Sequence, residues 1–194
     1  MPGWIEVAFA TSNTHKFREA SFILEDSGIR LSRLPSKGTE IQSDDVSEIA
    51  RIAAADAFQK YRRPLFVEDT MLSVDELNGF PGTYSAYVYK SIGPAGVLKL
   101  LEGTGTRGGE FDSCVAFVSE GRPPITFVGR LRGSIASRAR GRGGFGFDSV
   151  FIPTGSVKTL AEMSMAEKCE VSHRSKAIRA LASWLETTGF GQPL

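Results

Sequence analysis

Cysteine is scarce in this chain. Only Cys114 and Cys169 occur, too few for a disulfide framework or a zinc set. Net charge is scarce as well: 23 lysines and arginines stand against 22 aspartates and glutamates, which leaves +1. That balance builds in no bulk attraction to nucleic acid or to a membrane, so neither is an expected partner. No apolar run approaches membrane length, and Met1 to Glu6 lacks the basic-then-apolar pattern of a signal peptide. A cytoplasmic location is the expectation. There is no internal repeat, no interdomain linker and no Gly-Lys-Ser/Thr phosphate loop of the Walker kind. What remains is 194 residues with 41% apolar side chains, enough for one substantial core and read as a single domain, 1–194.

Strand and helix signals alternate along the chain. Trp4 to Ala10 reads as a buried strand that hands over at residues 11–14 to a helix carrying Phe17, Ala20, Ile23 and Leu24, with Gly28 as its stop. Residues 29–34 alternate as a second strand. Val46, Ile49, Ala50, Ala53, Ala54, Ala57, Phe58 and Tyr61 form one apolar helical stripe, with Asp45 and Glu48 as a capping pair. Pro94 suits a first helical position, and residues 103–109 read as a flexible turn. Residues 111–119 and 125–135 read as strands joined by a hairpin loop, and residues 149–152 as a further strand. Ser164 and Glu167 form a capping box. The last helix, capped by Ser172, turns Ile178, Leu181, Ala182 and Leu185 to the core. The pattern is an α/β protein with a mixed sheet.

The chain centres on Leu65-Phe66-Val67-Glu68-Asp69-Thr70. A buried strand that stops on two carboxylates presents negative charge where α/β sheets bind ligands. Alternation aims only one of the pair into a given cleft. Its natural partner is a hard cation such as Mg²⁺, which takes oxygen ligands and a substrate phosphate. The plain alternative is a solvated strand end.

Two helix starts carry charge of the wrong sign. Lys16 follows Thr11, Ser12, Asn13, Thr14 and His15 at a strand-to-helix junction whose free N–H groups suit an anion. A cation there opposes the helix dipole, and a phosphate between the two resolves the conflict. His173 and Arg174 repeat the arrangement at the last helix, with Lys168 just before. Cations on oxygens together with a metal are what phosphate transfer needs. Gly143 to Asp148 contains glycines that let backbone approach a planar ligand, with Phe145 or Phe147 to stack and Asp148 to accept hydrogen bonds. The competing reading is a glycine-rich turn with Phe147 in the core. Arg130, Arg132, Arg138, Arg140 and Arg142 suggest an RNA patch or a solvated loop.

In this order the pieces resemble the Ham1/inosine triphosphate pyrophosphatase family, over nearly the whole chain. The resemblance rests on Thr-Ser-Asn-x-x-Lys at 11–16, Glu40, Val-Glu-Asp-Thr at 67–70 and Asn-Gly-Phe-Pro-Gly-Thr-Tyr-Ser at 78–85. It continues with Gly-Phe-Gly-Phe-Asp at 144–148, Ala-Glu-Met at 161–163, Glu-Lys at 167–168 and Ser-His-Arg at 172–174. It implies an elongated mixed sheet flanked by helices, two lobes with a central cleft, a homodimer, and Mg²⁺-dependent hydrolysis of ITP, dITP and XTP to monophosphate and pyrophosphate. Carried over, Thr11, Ser12, Asn13, Thr14, His15 and Lys16 bind the triphosphate, and Glu40 and Asp69 hold Mg²⁺. Asp69, with Glu68 and Lys16, is catalytic. Thr70, Phe145, Gly146, Phe147, Asp148, Lys168, His173 and Arg174 contact the nucleotide, with Arg174 or a backbone N–H rewarding the purine 6-carbonyl. One departure is that a lysine of the family falls on Ala53 here. The alternatives are a pyrophosphatase for other modified nucleotides and a non-catalytic nucleotide- or RNA-binding protein.

Overall fold

The computed structural model describes residues 4–36, 39 and 41–190. Seven strands and six α-helices are ordered β1 (Ile5–Ala10), α1 (Thr14–Ile23), β2 (Ile29–Leu34), α2 (Val46–Tyr61), β3 (Leu65–Val74), β4 (Pro81–Gly82), α3 (Ser85–Ser91), α4 (Gly93–Leu100), β5 (Gly108–Val118), β6 (Ile125–Ile135), β7 (Phe151–Pro153), α5 (Met165–Val171) and α6 (His173–Thr187). The sheet order is β2-β1-β3-β5-β6-β7, with β4 pairing β3. β1 runs parallel to both β2 and β3, whereas β3–β4 and β6–β7 are antiparallel. The sheet is mixed, as the strand–helix alternation around a hairpin implies.

The chain divides into two compact units: residues 1–69, 113–129 and 174–194, and residues 70–112 and 130–173. The first has a core of Val7, Phe9, Phe66, Val115, Phe117, Ile178, Leu181 and Leu185, among others. Phe9 and Phe66, neighbours across the parallel β1–β3 pair, stack at 4.4 Å. Each ring is fully buried, worth about 1.5–3 kcal/mol of transfer free energy per side chain. The second unit packs Leu72, Val97, Phe111, Leu131, Phe147, Phe151 and Leu160.

Most local signals find their elements. The inner part of the α2 stripe is buried at Val46, Ile49, Ala50, Ala54 and Ala57. Asp45 caps that helix by accepting from the Ser47 N–H, but Glu48 turns to the Ser43 hydroxyl at 2.6 Å, so no reciprocal box forms. The Ser164–Glu167 box is complete. A second box, Thr159 with Glu162, closes a short 3₁₀ turn.

Two expectations are corrected. β3 does not stop at the carboxylates: it runs on to Val74, because Leu72 and Ser73 pair with Gly82 and Pro81 of β4. α3 carries no sequence signal of its own. It is seated by Ser85, whose hydroxyl accepts the Leu72 N–H at 2.8 Å and donates to the Gly82 carbonyl at 2.7 Å. β5 begins at Gly108, inside the stretch read as a flexible turn. Gly109 is needed there, since a Cβ would stand 2.8 Å from the Ser73 carbonyl oxygen.

Candidate active site

In the first unit, β3 delivers Glu68 to a cluster of buried charge. Its side chain is inaccessible to solvent, and Lys16 Nζ lies 2.8 Å from Oε2 while Arg174 Nε lies 3.2 Å from Oε1. The Ser113 hydroxyl donates to Oε1 at 2.5 Å, and Lys16 also donates to the Glu68 carbonyl at 3.0 Å. Arg174 NH1 reaches Glu19 Oε2 at 2.5 Å. Burial by itself pushes the Glu68 carboxyl upward; Arg174, Lys16 and the hydrogen bonds outweigh it and hold the group well below the usual carboxylate range. Glu68 is therefore an ionised anchor for two cations, and a poor proton acceptor. Asp69, on the opposite side of the pleat, is half-buried.

This cluster changes the reading of the two helix starts. The anion that Lys16 and Arg174 call for is supplied by the chain itself, as Glu68. At α1 the first-turn donors are also engaged: the Asn13 side chain accepts from the His15 N–H at 2.9 Å and the Lys16 N–H at 3.2 Å. Asn13, as the helix cap, thus engages two of the N–H groups expected to form a cradle at residues 11–16. Thr11 is buried and accepts the Asn13 N–H at 3.1 Å. Arg33 ties down the carbonyls of Thr11 and Ser12, and Ser12, Thr14 and His15 are exposed.

In the second unit a loop centres on Asp148. Its Oδ2 accepts from Lys168 Nζ at 2.6 Å and from the Phe145 N–H at 2.8 Å, and both charged side chains are nearly fully buried. Lys168 Nζ also lies 5.1 Å from the Phe145 ring centroid, within cation–π range. Gly144, at φ +68°, has no Cβ because the Asp148 carboxylate occupies that space. The glycine serves the chain's own carboxylate, where the sequence suggested backbone approach to a ligand. Phe145 and Gly146 are half-buried and Thr70 likewise.

Several assigned roles meet a different environment. Phe147 is a core residue, buried in the second unit with Tyr89 edge-on at 5.7 Å. The ring thus sits where the turn-and-core alternative puts it. His173 is buried and stacked on Phe111, with ring centroids 4.5 Å apart. Arg174 is buried between Glu19 and Glu68, and its guanidinium is not open to a base in this state. Glu40 lies outside the described residues. Sequence reasoning missed Glu19 and Ser113, whose partners are 155 and 45 positions away; no local pattern marks either.

Among the described residues no three His, Cys, Asp or Glu side chains gather to hold a metal. The donor chemistry fits Mg²⁺ nonetheless. This ion keeps waters and binds through one or two carboxylates plus substrate phosphate oxygens rather than an all-protein cage, and Asp69 is such a carboxylate.

A model of the Ham1 family matches residues 7–184. The chain belongs to the Ham1 family. A dITP/XTP pyrophosphatase of Methanopyrus kandleri is 45% identical over 188 residues, covering 97% of this chain and 100% of that protein. One from Thermococcus kodakarensis is 45% identical over 182 residues, covering 94% and 98%. Among solved structures, a HAM1 protein from Coxiella burnetii superposes with a TM-score of 0.82 at 28% identity, covering 94% of this chain and 99% of its own. The Staphylococcus aureus Ham1 protein gives 0.81 at 26%, with the same coverage. Likeness spread over the whole length is what the ordered motifs of this Ham1 chain imply.

Proposed function

We propose that this Ham1 protein is a nucleoside triphosphate pyrophosphatase that hydrolyses ITP, dITP and XTP to the monophosphate and pyrophosphate. The observation that carries the reading is the β3 pair: a buried, cation-held Glu68 beside a half-buried Asp69. Asp69, half-buried at the next position of the strand, orients the attacking water and accepts its proton. Glu68 holds Lys16, whose side chain stays 16% exposed, at the edge of the cluster where phosphate oxygens meet it. Magnesium, when bound by Asp69 and Glu40, supplies charge neutralisation at the phosphate oxygens.

The base-reading role falls to Phe145, as a stacking face, and to Arg174. Arg174 reaches a purine 6-carbonyl only by releasing one of its carboxylates, so exchange of partners is part of recognition. A site that donates to that carbonyl leaves its donor unpaired against adenine, a discrimination of about 10⁴ or more. The same reading includes a cytoplasmic location and a homodimer; light scattering tests the second. Release of pyrophosphate across a panel of ITP, dITP, XTP, GTP, ATP and modified pyrimidine nucleotides, with and without Mg²⁺, tests the activity. The expected result is Mg²⁺-dependent release from the first three. Release confined to other modified nucleotides, or retention on RNA with no release, would replace it.

A further inference from the structure

A cavity of about 340 Å³ opens in the first unit, at the start of β3, between the end of α2 and the turn after β5. Its size falls in the range of small-molecule sites. The walls include Phe58 and Phe190, three arginines (Arg62, Arg63 and Arg122) and one carboxylate, Glu120. Pro64 also lines it, and four residues of extended chain, roughly 13 Å, separate Pro64 from Glu68. The cavity is thus set apart from the carboxylate cluster.

The charge in the wall is unbalanced. Among the described residues neither Arg63 nor Arg122 has an ion-pair partner. Arg62 occupies the left-handed region, φ 50°, at the end of α2, and its Nε donates to the Gln59 carbonyl at 3.0 Å. That bond anchors the side chain and leaves the terminal nitrogens for another acceptor. Arg122 is brought in by the turn at Gly121, φ +72°, closed by its N–H on the Ser119 carbonyl. Guanidinium forks match phosphate oxygens bidentately, and the two phenylalanines offer apolar faces beside them.

We propose that this cavity is a second anion site, for a phosphorylated small molecule with a flat apolar ring, of the nucleoside monophosphate class. Phosphate sits on Arg63 and Arg122, and the ring lies against Phe58 and Phe190. Equilibrium dialysis of the full-length protein against phenyl phosphate, AMP, ribose 5-phosphate and inorganic phosphate tests it. Phenyl phosphate and AMP should bind saturably and more tightly than the two probes that lack an aromatic ring. The R63A/R122A double variant should weaken phenyl phosphate at least about tenfold, the loss of one or more charge-assisted hydrogen bonds. It should leave pyrophosphate release unchanged. Glu120→Gln, which removes the one carboxylate that the described residues place in the wall, should tighten binding, and Asp69→Asn should not alter it. Equal binding of all four probes, binding unaffected by R63A/R122A, or no saturable binding would each overturn the proposal. If Asp69→Asn abolishes phenyl phosphate binding, the probe occupies the carboxylate site and the proposal fails, while the pyrophosphatase reading stands.

Discussion

Arg174 and Glu19 stand 155 positions apart in the chain, yet their side chains meet at 2.5 Å with each almost wholly buried. Through Arg174 the contact extends to Glu68, and through Glu68 to Lys16. Two carboxylates and two cations, drawn from α1, β3 and α6, thus form one ionic chain that fixes these elements around the head of the site. Buried pairs of this kind add little net stability but are costly to break.

Asp69→Asn keeps size and hydrogen bonding while removing charge and basicity. Pyrophosphate release should fall by about 10²–10⁴, with an unchanged melting temperature. Full activity would refute the role given to Asp69.

Glu68→Gln leaves Arg174 and Lys16 without their shared counter-charge. Global stability, read from urea denaturation at neutral pH, should drop by about 3–5 kcal/mol. Acid titration of the parent gives a further signature. In the unfolded chain Glu68 takes up its proton near the ordinary 4.5, whereas in the fold it stays ionised well below that. Stability from this group is therefore present above about pH 4.5 and lost progressively as pH falls below it. The urea midpoint of Glu68→Gln should lack that share of the acid slope.

Arg174→Lys retains charge but not the fork that spans two carboxylates. Turnover of ITP should fall at least about tenfold, and preference for ITP over ATP should narrow, since a point charge reads a carbonyl less selectively than a guanidinium. Steady-state kinetics with both nucleotides measures this. An unchanged ratio would remove Arg174 from base reading.

Gly144→Ala places a methyl group where the Asp148 carboxylate lies, at a φ of +68°. The strained backbone adds about 1–3 kcal/mol of destabilisation. Thermal melting should register it, together with a raised KM as the Phe145 ring loses its seat over Lys168.

Where side chains repeat at a fixed spacing, the sequence is readable. The alanine stripe of α2, the Ser164–Glu167 box and the core face of α6 all lie where periodicity and capping put them. Asp69 and Glu68 stand out because paired carboxylates interrupt a strand-forming run. The misreadings share a cause. β3 continues past Asp69 because of a partner strand only two residues long, and α3 is seated by one hydroxyl on a distant N–H. The space beside Gly144 is filled by the Asp148 carboxylate, which Lys168 holds from 20 positions away. Lys16 and Arg174 also meet Glu68 and Glu19 inside the chain, partners that are remote in sequence. Local spacing carries no record of such pairings.

Asn13 adds a dynamic consequence. By capping α1 with its own side chain, it lets the opening turn keep its shape before any nucleotide arrives. The amides of His15 and Lys16 should then exchange slowly with deuterated solvent in the ligand-free protein. Under the proposed function, little ordering entropy remains to be lost there on triphosphate binding.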